Sequence, residues 1–288
     1  MSKFVNPYES SLVIDSNKFN NVISKLRSFF LSKNFIEVCT QNRLSILAAC
    51  EDPFNVATFN YAGNIWPLPQ TGQMWLEYEI LKNPEPAGYF CLTTSYRLEP
   101  NPVEGRHDII FPLFEFETKG TMENLILLQV ELLKHLGYDM SKIDRDTYKN
   151  ICNRYKVDHT NNVELDHDHE TKMCDNKQGV FITDFPEYTH PFWNMRRNND
   201  DTAFKVDVIL GGMETFGSAE RENDVEVMRD RFNTIMDGAY KRKLFELFGE
   251  ERTLSELNEY FKLNFIPRVG CGIGVTRLIK SMEKENLL

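Results

Sequence analysis

Apolar positions along the chain switch between two periods, and the switches mark the elements. In residues 17–30, Phe19, Val22, Ile23, Leu26, Phe29 and Phe30 recur at helical spacing, with Asp15 or Ser16 placed to cap the start. A short run at 35–38 predicts a strand. Residues 51–70 carry Pro, Gly and Asn punctuation and predict hairpins and loops. A helix is expected at 74–81. Residues 87–96 and 109–118 predict two strands of a long antiparallel hairpin joined by a polar loop. Residues 122–136 form a strong amphipathic helix. Residues 140–178 are polar and charged, with helical pieces. Strands are expected at 180–183 and 205–210, then a Gly-Gly turn and a strand at 213–216. A long charged helix at 224–248, broken near Gly238, and a short one at 255–261 follow. Gly270, Gly272 and Gly274 read as a glycine turn leading into a final helix at 275–285. Strands come in antiparallel-looking pairs, and helices do not alternate with them one for one. That predicts an α+β fold with an antiparallel sheet rather than a doubly wound parallel one. No Pro/Gly/Ser linker divides the chain, so a lead-in over 1–16 and one domain over 17–288 are expected.

Composition narrows the class. The 288 residues carry 33 Lys and Arg against 43 Asp and Glu, a net charge of −10, with 41% hydrophobic residues. Such a chain is large enough for a sizeable core and too apolar for disorder. No apolar run approaches the ~18 residues of a membrane span, and the N-terminus lacks a secretory pattern. The acidic balance argues against general nucleic-acid affinity. Cys39, Cys50, Cys91, Cys152, Cys174 and Cys271 form no CxxC pair and read as buried or idle thiols. The expected location is a reducing cytoplasm.

Three segments carry candidate chemistry. In Tyr96-Arg97-Leu98-Glu99, strand alternation puts Arg97 and Glu99 on one face, suited to a phosphate and an adenine amine. Arg106 and His107 in the following loop add two phosphate donors. Read alone, the segment is equally a surface hairpin with a salt bridge. The second segment runs from Gly270 to Arg277. Its glycines allow close backbone approach, and Arg277 on a first helical turn opposes the helix dipole unless an anion lies near. It lacks the dinucleotide GxGxxG pattern, and its plain alternative is a tight turn. In the third, Asp207 and Glu214 sit on neighbouring strands where two carboxylates could hold Mg²⁺, with Arg221 ready for a substrate carboxylate. A buried ion-pair network is the alternative. His159, His167 and His169 lie among carboxylates, without regular ligand spacing, and read as a solvated loop.

Taken together and in this order, the segments resemble the catalytic core of class II aminoacyl-tRNA synthetases. The resemblance is to the aspartyl/asparaginyl group, including its free-standing asparagine-synthetase-like relatives, and covers roughly residues 20–285. Residues 35–40 look like the family's first motif, Tyr96–Glu99 with 106–117 like the second, and 270–277 like the third. Residues 207–221 show the family's seven-residue steps from Asp207 to Glu214 to Arg221.

The resemblance implies an antiparallel sheet flanked by helices and ATP bound in a bent form. It gives Arg97 the α-phosphate, Glu99 the adenine amine and Phe111 the stacking face. Arg106, His107 and Arg277 would reach the phosphates, and Gly272 and Gly274 would lie against the nucleotide. Asp207 and Glu214 would carry Mg²⁺. Glu51 would meet the substrate amine, Gln73 the amino acid, Glu77 a side-chain amide and Arg221 the side-chain end. Leu76 stands where aspartyl enzymes carry a lysine, which leans the pocket towards asparagine recognition or formation.

Gln41, Ile110 and Thr276 depart from the family pattern, which has a proline at the first position and acidic residues at the other two. The implied reaction is activation of aspartate or asparagine as the aminoacyl-AMP with release of pyrophosphate. Catalysis there needs charge neutralisation and in-line positioning more than a protein nucleophile. Amidation with ammonia is the acceptor step expected first, because 288 residues hold the core and little else. Transfer to tRNA without anticodon recognition is the alternative, and non-catalytic sensing of an amino acid or nucleotide stands third. A homodimer and no membrane partner complete the expectation.

Overall fold

The Asp15 side chain starts the first helix by accepting from the N–H groups of Asn17 and Lys18, each at 2.9 Å. That helix, α1, spans Ser16–Ser32 and buries Val22, Ile23, Leu26, Phe29 and Phe30. The computed structural model describes residues 14–41, 44–47, 52–100, 102–103, 105–189, 192–198 and 201–288. Most of the expected lead-in lies outside these residues. In chain order there follow β1 (Phe35–Glu37), a hairpin of β2 (Thr58–Tyr61) and β3 (Asn64–Pro67), α2 (Gln73–Lys82), β4 (Gly88–Tyr96), β5 (Ile110–Lys119) and α3 (Met122–Leu136). Then come β6 (Ile143–Thr147), α4 (Tyr148–Tyr155), α5 (His167–Met173), β7 (Gly179–Pro186), β8 (Thr202–Leu210) and β9 (Met213–Glu220). The chain closes with α6 (Val225–Thr234), α7 (Ala239–Phe248), α8 (Glu250–Phe261), β10 (Arg268–Gly274) and α9 (Val275–Lys284).

Eight strands form one sheet in the order β1-β4-β5-β10-β9-β8-β7-β6. Only its outer pairs, β1 with β4 and β6 with β7, are parallel. The rest is antiparallel, as the pairwise strand pattern predicts, and the molecule is a single α+β domain. Alternation gives the sheet two unlike faces. One carries Phe90, Phe114, Phe116, Phe216, Val269 and Ile273 and packs under α1, α3 and α9. The other faces a second apolar cluster built from α2 and α6 to α8, with Trp193 and Tyr260 at its centre. Between that cluster and the middle strands lies the site.

Two expectations are corrected. The glycines of 270–274 form the central strand β10, not a turn; their period-two spacing leaves Cys271 and Ile273 to fill the apolar face. Within 140–178 the polar segment 143–147 is the edge strand β6, held by its pairing with β7 rather than by hydrophobic alternation. The break near Gly238 is real: Met236 and Asp237 take positive φ between α6 and α7. Cys91, Cys152, Cys174 and Cys271 are buried free thiols and Cys39 is an exposed one; Cys50 lies outside the described residues. No described helix is long and apolar enough to cross a membrane.

Candidate active site

The missing side chains of β10 create the cavity. Gly270, Gly272 and Gly274 point to the same face, opposite Glu117, Glu115 and Leu113 of β5. On the other flank Gly270 and Gly272 pair with Ala219 and Gly217 of β9. A trough of about 310 Å³ results, the lower end of the size of small-ligand sites. Gln73, Arg97, Glu99, Arg106, His107, Phe111, Glu214, Arg221, Gly272, Gly274 and Arg277 all line it. Three segments far apart in sequence, around Arg97, Arg221 and Arg277, therefore meet in one place. Glu51 lies outside the described residues.

One end is closed by a buried ionic chain. Arg221 donates to Glu117 through Nε at 3.1 Å and Nη2 at 3.2 Å, and its Nε lies 3.8 Å from Glu77. Glu77 is fully buried and does not line the trough. Its Oε1 accepts from Gln73 at 2.7 Å and Asn194 at 2.9 Å. Its Oε2 accepts from Tyr260 at 2.6 Å and from Arg268 at 2.6 and 3.1 Å. Both oxygens are thus committed to protein donors, which corrects the expectation that Glu77 meets a substrate amide and the alternative that it is exposed. Burial alone would raise the Glu77 carboxyl, but Arg268 and Arg221 outweigh it and hold it at about 2. Burial raises Glu117 to about 7, against the pull of Arg221 and with the help of the Glu77 charge. Glu115 fixes the start of α2: it accepts from Thr71, from the Gly72 N–H at 2.7 Å and from Thr93 at 3.0 Å.

Cations gather at the opposite, open end. Arg97 places its guanidinium 5.3 Å from the centre of the Phe111 ring and 3.9 Å from Glu99. His107 Nδ1 approaches Glu99 to 2.9 Å. Arg277 crosses from α9 to donate to the Glu214 carbonyl at 2.7 Å and to the Arg106 carbonyl at 3.2 and 3.3 Å. Arg106 donates to Glu170 at 2.6 Å and to the Gly212 carbonyl at 2.9 Å. These two arginines hold the 105–107 loop against β9 and α5 while still facing the trough. The resting charges of this end are therefore carried by protein partners that an anionic ligand would compete with.

The two carboxylates expected to carry Mg²⁺ converge around Gly217. A Cβ there would lie 2.9 Å from Glu214 Oε1 and 4.0 Å from Asp207 Oδ1. Glu214 lines the trough, whereas Asp207 sits just beneath it. Asp207 Oδ2 accepts from Lys205 Nζ at 2.6 Å, and its buried Oδ1 has no hydrogen-bond partner. Burial raises the Asp207 carboxyl to about 7; Lys205 opposes this and Glu214 adds to it. One open oxygen plus Glu214 suits Mg²⁺, which binds through one or two carboxylates and takes its remaining ligands from water and phosphate. Among the described residues no group of three side chains forms a metal centre.

Several contributors escape a linear reading. Glu115 and Glu117 signal themselves only as an i, i+2 pair on β5, and Lys205 as an i, i+2 partner of Asp207. Arg268, Asn194 and Glu170 carry no local signal. The histidines expected in a solvated loop belong to ordered structure: His167 and His169 lie on α5, and the His167 ring meets the His107 ring edge-on at 5.1 Å. Among the described residues they belong to no group of three metal-ligating side chains; the helix brings Glu170 to Arg106.

The family model for class II tRNA synthetases (D, K and N) matches residues 13–287. A lysine–tRNA ligase of Porphyromonas gingivalis is 24% identical over 154 residues, covering 51% of this chain and 25% of that protein. A probable cytoplasmic aspartate–tRNA ligase of Enterocytozoon bieneusi is 26% identical over 292 residues, 88% of this chain and 57% of that protein. The chain thus spans between a quarter and just over half the length of these relatives. Among solved structures, asparaginyl-tRNA synthetase from Pyrococcus horikoshii complexed with asparaginyl-adenylate superposes with a TM-score of 0.75 at 19% identity. That match covers 93% of this chain and 64% of the other. With nearly its whole length matched and the same fold, the chain belongs to the class II tRNA synthetase family of the D, K and N group.

Proposed function

We propose that the protein is an ATP-dependent ligase that activates aspartate or asparagine as the aminoacyl adenylate. One observation carries the reading: a single trough has Arg221 at its closed end and Arg97, His107, Arg106 and Arg277 at its open end. The first suits a short polar side chain and the second a polyphosphate. In this reading Arg97 neutralises the α-phosphate, Phe111 supports the adenine and Glu99 accepts from its amine. Gln73, fixed by Glu77, faces the amino acid. A substrate carboxylate attacks the α-phosphorus in line: the side-chain carboxylate of aspartate if ammonia is the acceptor and asparagine the product, the α-carboxylate if tRNA is the acceptor. The bond to the β-phosphate oxygen breaks, and pyrophosphate leaves toward His107 and Arg277. Asp207 and Glu214 would hold Mg²⁺, which supplies charge neutralisation for the phosphates. Each element is positional or electrostatic, the kind of catalysis such a step requires. The exposed apolar side chains of Leu31 on α1 and Ile36 on β1 support a homodimer through the first-motif segment, testable by light scattering.

ATP–pyrophosphate exchange over all amino acids tests the activation step. Exchange with aspartate or asparagine is expected; exchange with neither overturns the reading. The same protein with aspartate and ammonium, or with labelled amino acid and tRNA, identifies the acceptor. Asparagine with AMP marks the amidation proposed first, and label on tRNA marks the ligase alternative.

A further inference from the structure

Lys205 carries no signal in the sequence beyond its i, i+2 step to Asp207, yet its ammonium lies beside the carboxylates of Asp207 and Glu214. It lines the cavity, and its Nζ is 2.6 Å from Asp207 Oδ2 and 4.0 Å from the centre of the Phe185 ring. Strand alternation puts Lys205 and Asp207 on one face of β8, and the register sets them opposite Ala219 and Gly217. Small residues there leave the ammonium room. The aromatic face beneath it favours a cation at that point. An ammonium on the carboxylate does what a divalent ion would do: it cancels the Asp207 charge.

We propose that Lys205 is a resident cation that holds the place of the divalent ion in the nucleotide-free protein. Coulomb repulsion between its ammonium and an incoming M²⁺, and its claim on one Asp207 oxygen, keep divalent affinity low. Asp207 and Glu214 would then hold a divalent ion only when phosphate oxygens complete its ligands. The same charge remains beside Glu214, where it attracts the outer phosphates. The assignment rests on the proposed nucleotide reading only for this last role; its effect on metal binding does not.

Binding of Mn²⁺ alone, followed by loss of the free-ion electron paramagnetic resonance signal, tests it without nucleotide. The wild-type protein should bind Mn²⁺ weakly. Lys205→Met should bind it at least about tenfold more tightly, because a neighbouring positive charge is gone and Asp207 is freed. Lys205→Arg should stay near wild type, and Lys205→Met with Asp207→Asn should lose the gain. Equal Mn²⁺ affinity in wild type and a folded Lys205→Met, checked by circular dichroism, overturns the proposal. Should that variant not fold, the wild type alone decides: tight stoichiometric Mn²⁺ binding without nucleotide overturns it, and binding that appears only with a non-hydrolysable ATP analogue supports it. Absent pyrophosphate exchange with the expected Mn²⁺ behaviour would reject the ligase reading and leave the Lys205 assignment standing.

Discussion

Arg221 reaches Glu117 directly across Gly270. A Cβ on that glycine would lie 1.7 Å from Glu117 Oε2 and 2.5 Å from Arg221 Nη2. The forked pair and the glycine therefore require each other. Gly270→Ala should separate the pair, lower the melting temperature and reduce amino-acid-dependent exchange by at least about a hundredfold. Gly272→Ala is the matched control. A Cβ there meets nothing closer than Leu113 at 3.7 Å, so that variant should fold normally and raise KM by filling the trough floor. Melting curves and steady-state kinetics on both separate the two effects. Equal melting temperatures for the two variants would contradict the geometry.

Glu77 anchors Arg268, Tyr260, Asn194 and Gln73 in a closed compartment. Glu77→Gln keeps the shape and removes the charge, leaving the buried Arg268 uncompensated. Breaking a buried pair from one side costs about 3–5 kcal/mol. Urea denaturation should show a loss of that size. A variant as stable as wild type but with a raised KM for the amino acid would return Glu77 to the substrate.

The Glu117 carboxyl titrates near 7 because it is buried, with Arg221 pulling the other way. Below that pH it carries a proton and no longer neutralises Arg221, so a substrate carboxylate meets a stronger cation. Aspartate should bind several-fold more tightly at pH 6 than at pH 8, with asparagine little affected. Glu117→Gln should flatten the difference. The stability sign follows from the same shift. The folded state holds this proton up to about 7 and the unfolded chain only to about 4.5. Glu117 therefore contributes most below pH 4.5, and its contribution falls as pH rises from there to 7. Calorimetric titrations at the two pH values, run on wild type and variant, check the binding difference.

Arg97 is two-fifths exposed and meets Phe111 and Glu99 without burying either. Arg97→Ala should change stability by no more than about 0.5 kcal/mol, as surface substitutions do. It should nonetheless reduce pyrophosphate exchange by at least about a hundredfold. Chemical denaturation beside the exchange assay tests the split; retained exchange would remove Arg97 from the phosphate site.

Much of this architecture is legible in the chain itself. The helix at 122–136 and the strands flanking 97–109 follow from local periodicity. Arg97 and Glu99, however, lie just beyond β4, which ends at Tyr96, so strand alternation does not account for their placement, and the seven-residue step from Asp207 to Glu214 is legible only through the resemblance. The order of these segments and their resemblance to one family is what the family match bears out. Local pattern failed where glycine hid it: beyond Arg268 one face of β10 carries only Gly270, Gly272 and Gly274, so half of its alternation is missing there and the segment reads as a turn.

Order along the chain determines which elements exist and which residues share a face, because propensity and period act over a few residues. It cannot decide which elements become neighbours. Glu77 and Arg268, 191 residues apart, meet only because β10 inserts between β5 and β9 while α2 and α8 pack over it. That insertion sealed Glu77 away from the trough and set Arg221 on Glu117, whereas Lys205, Asp207 and Glu214 meet locally on the β8–β9 hairpin. Strand order and burial are non-local, and at this site they decide which charges are free to meet a ligand and which are spent on the fold.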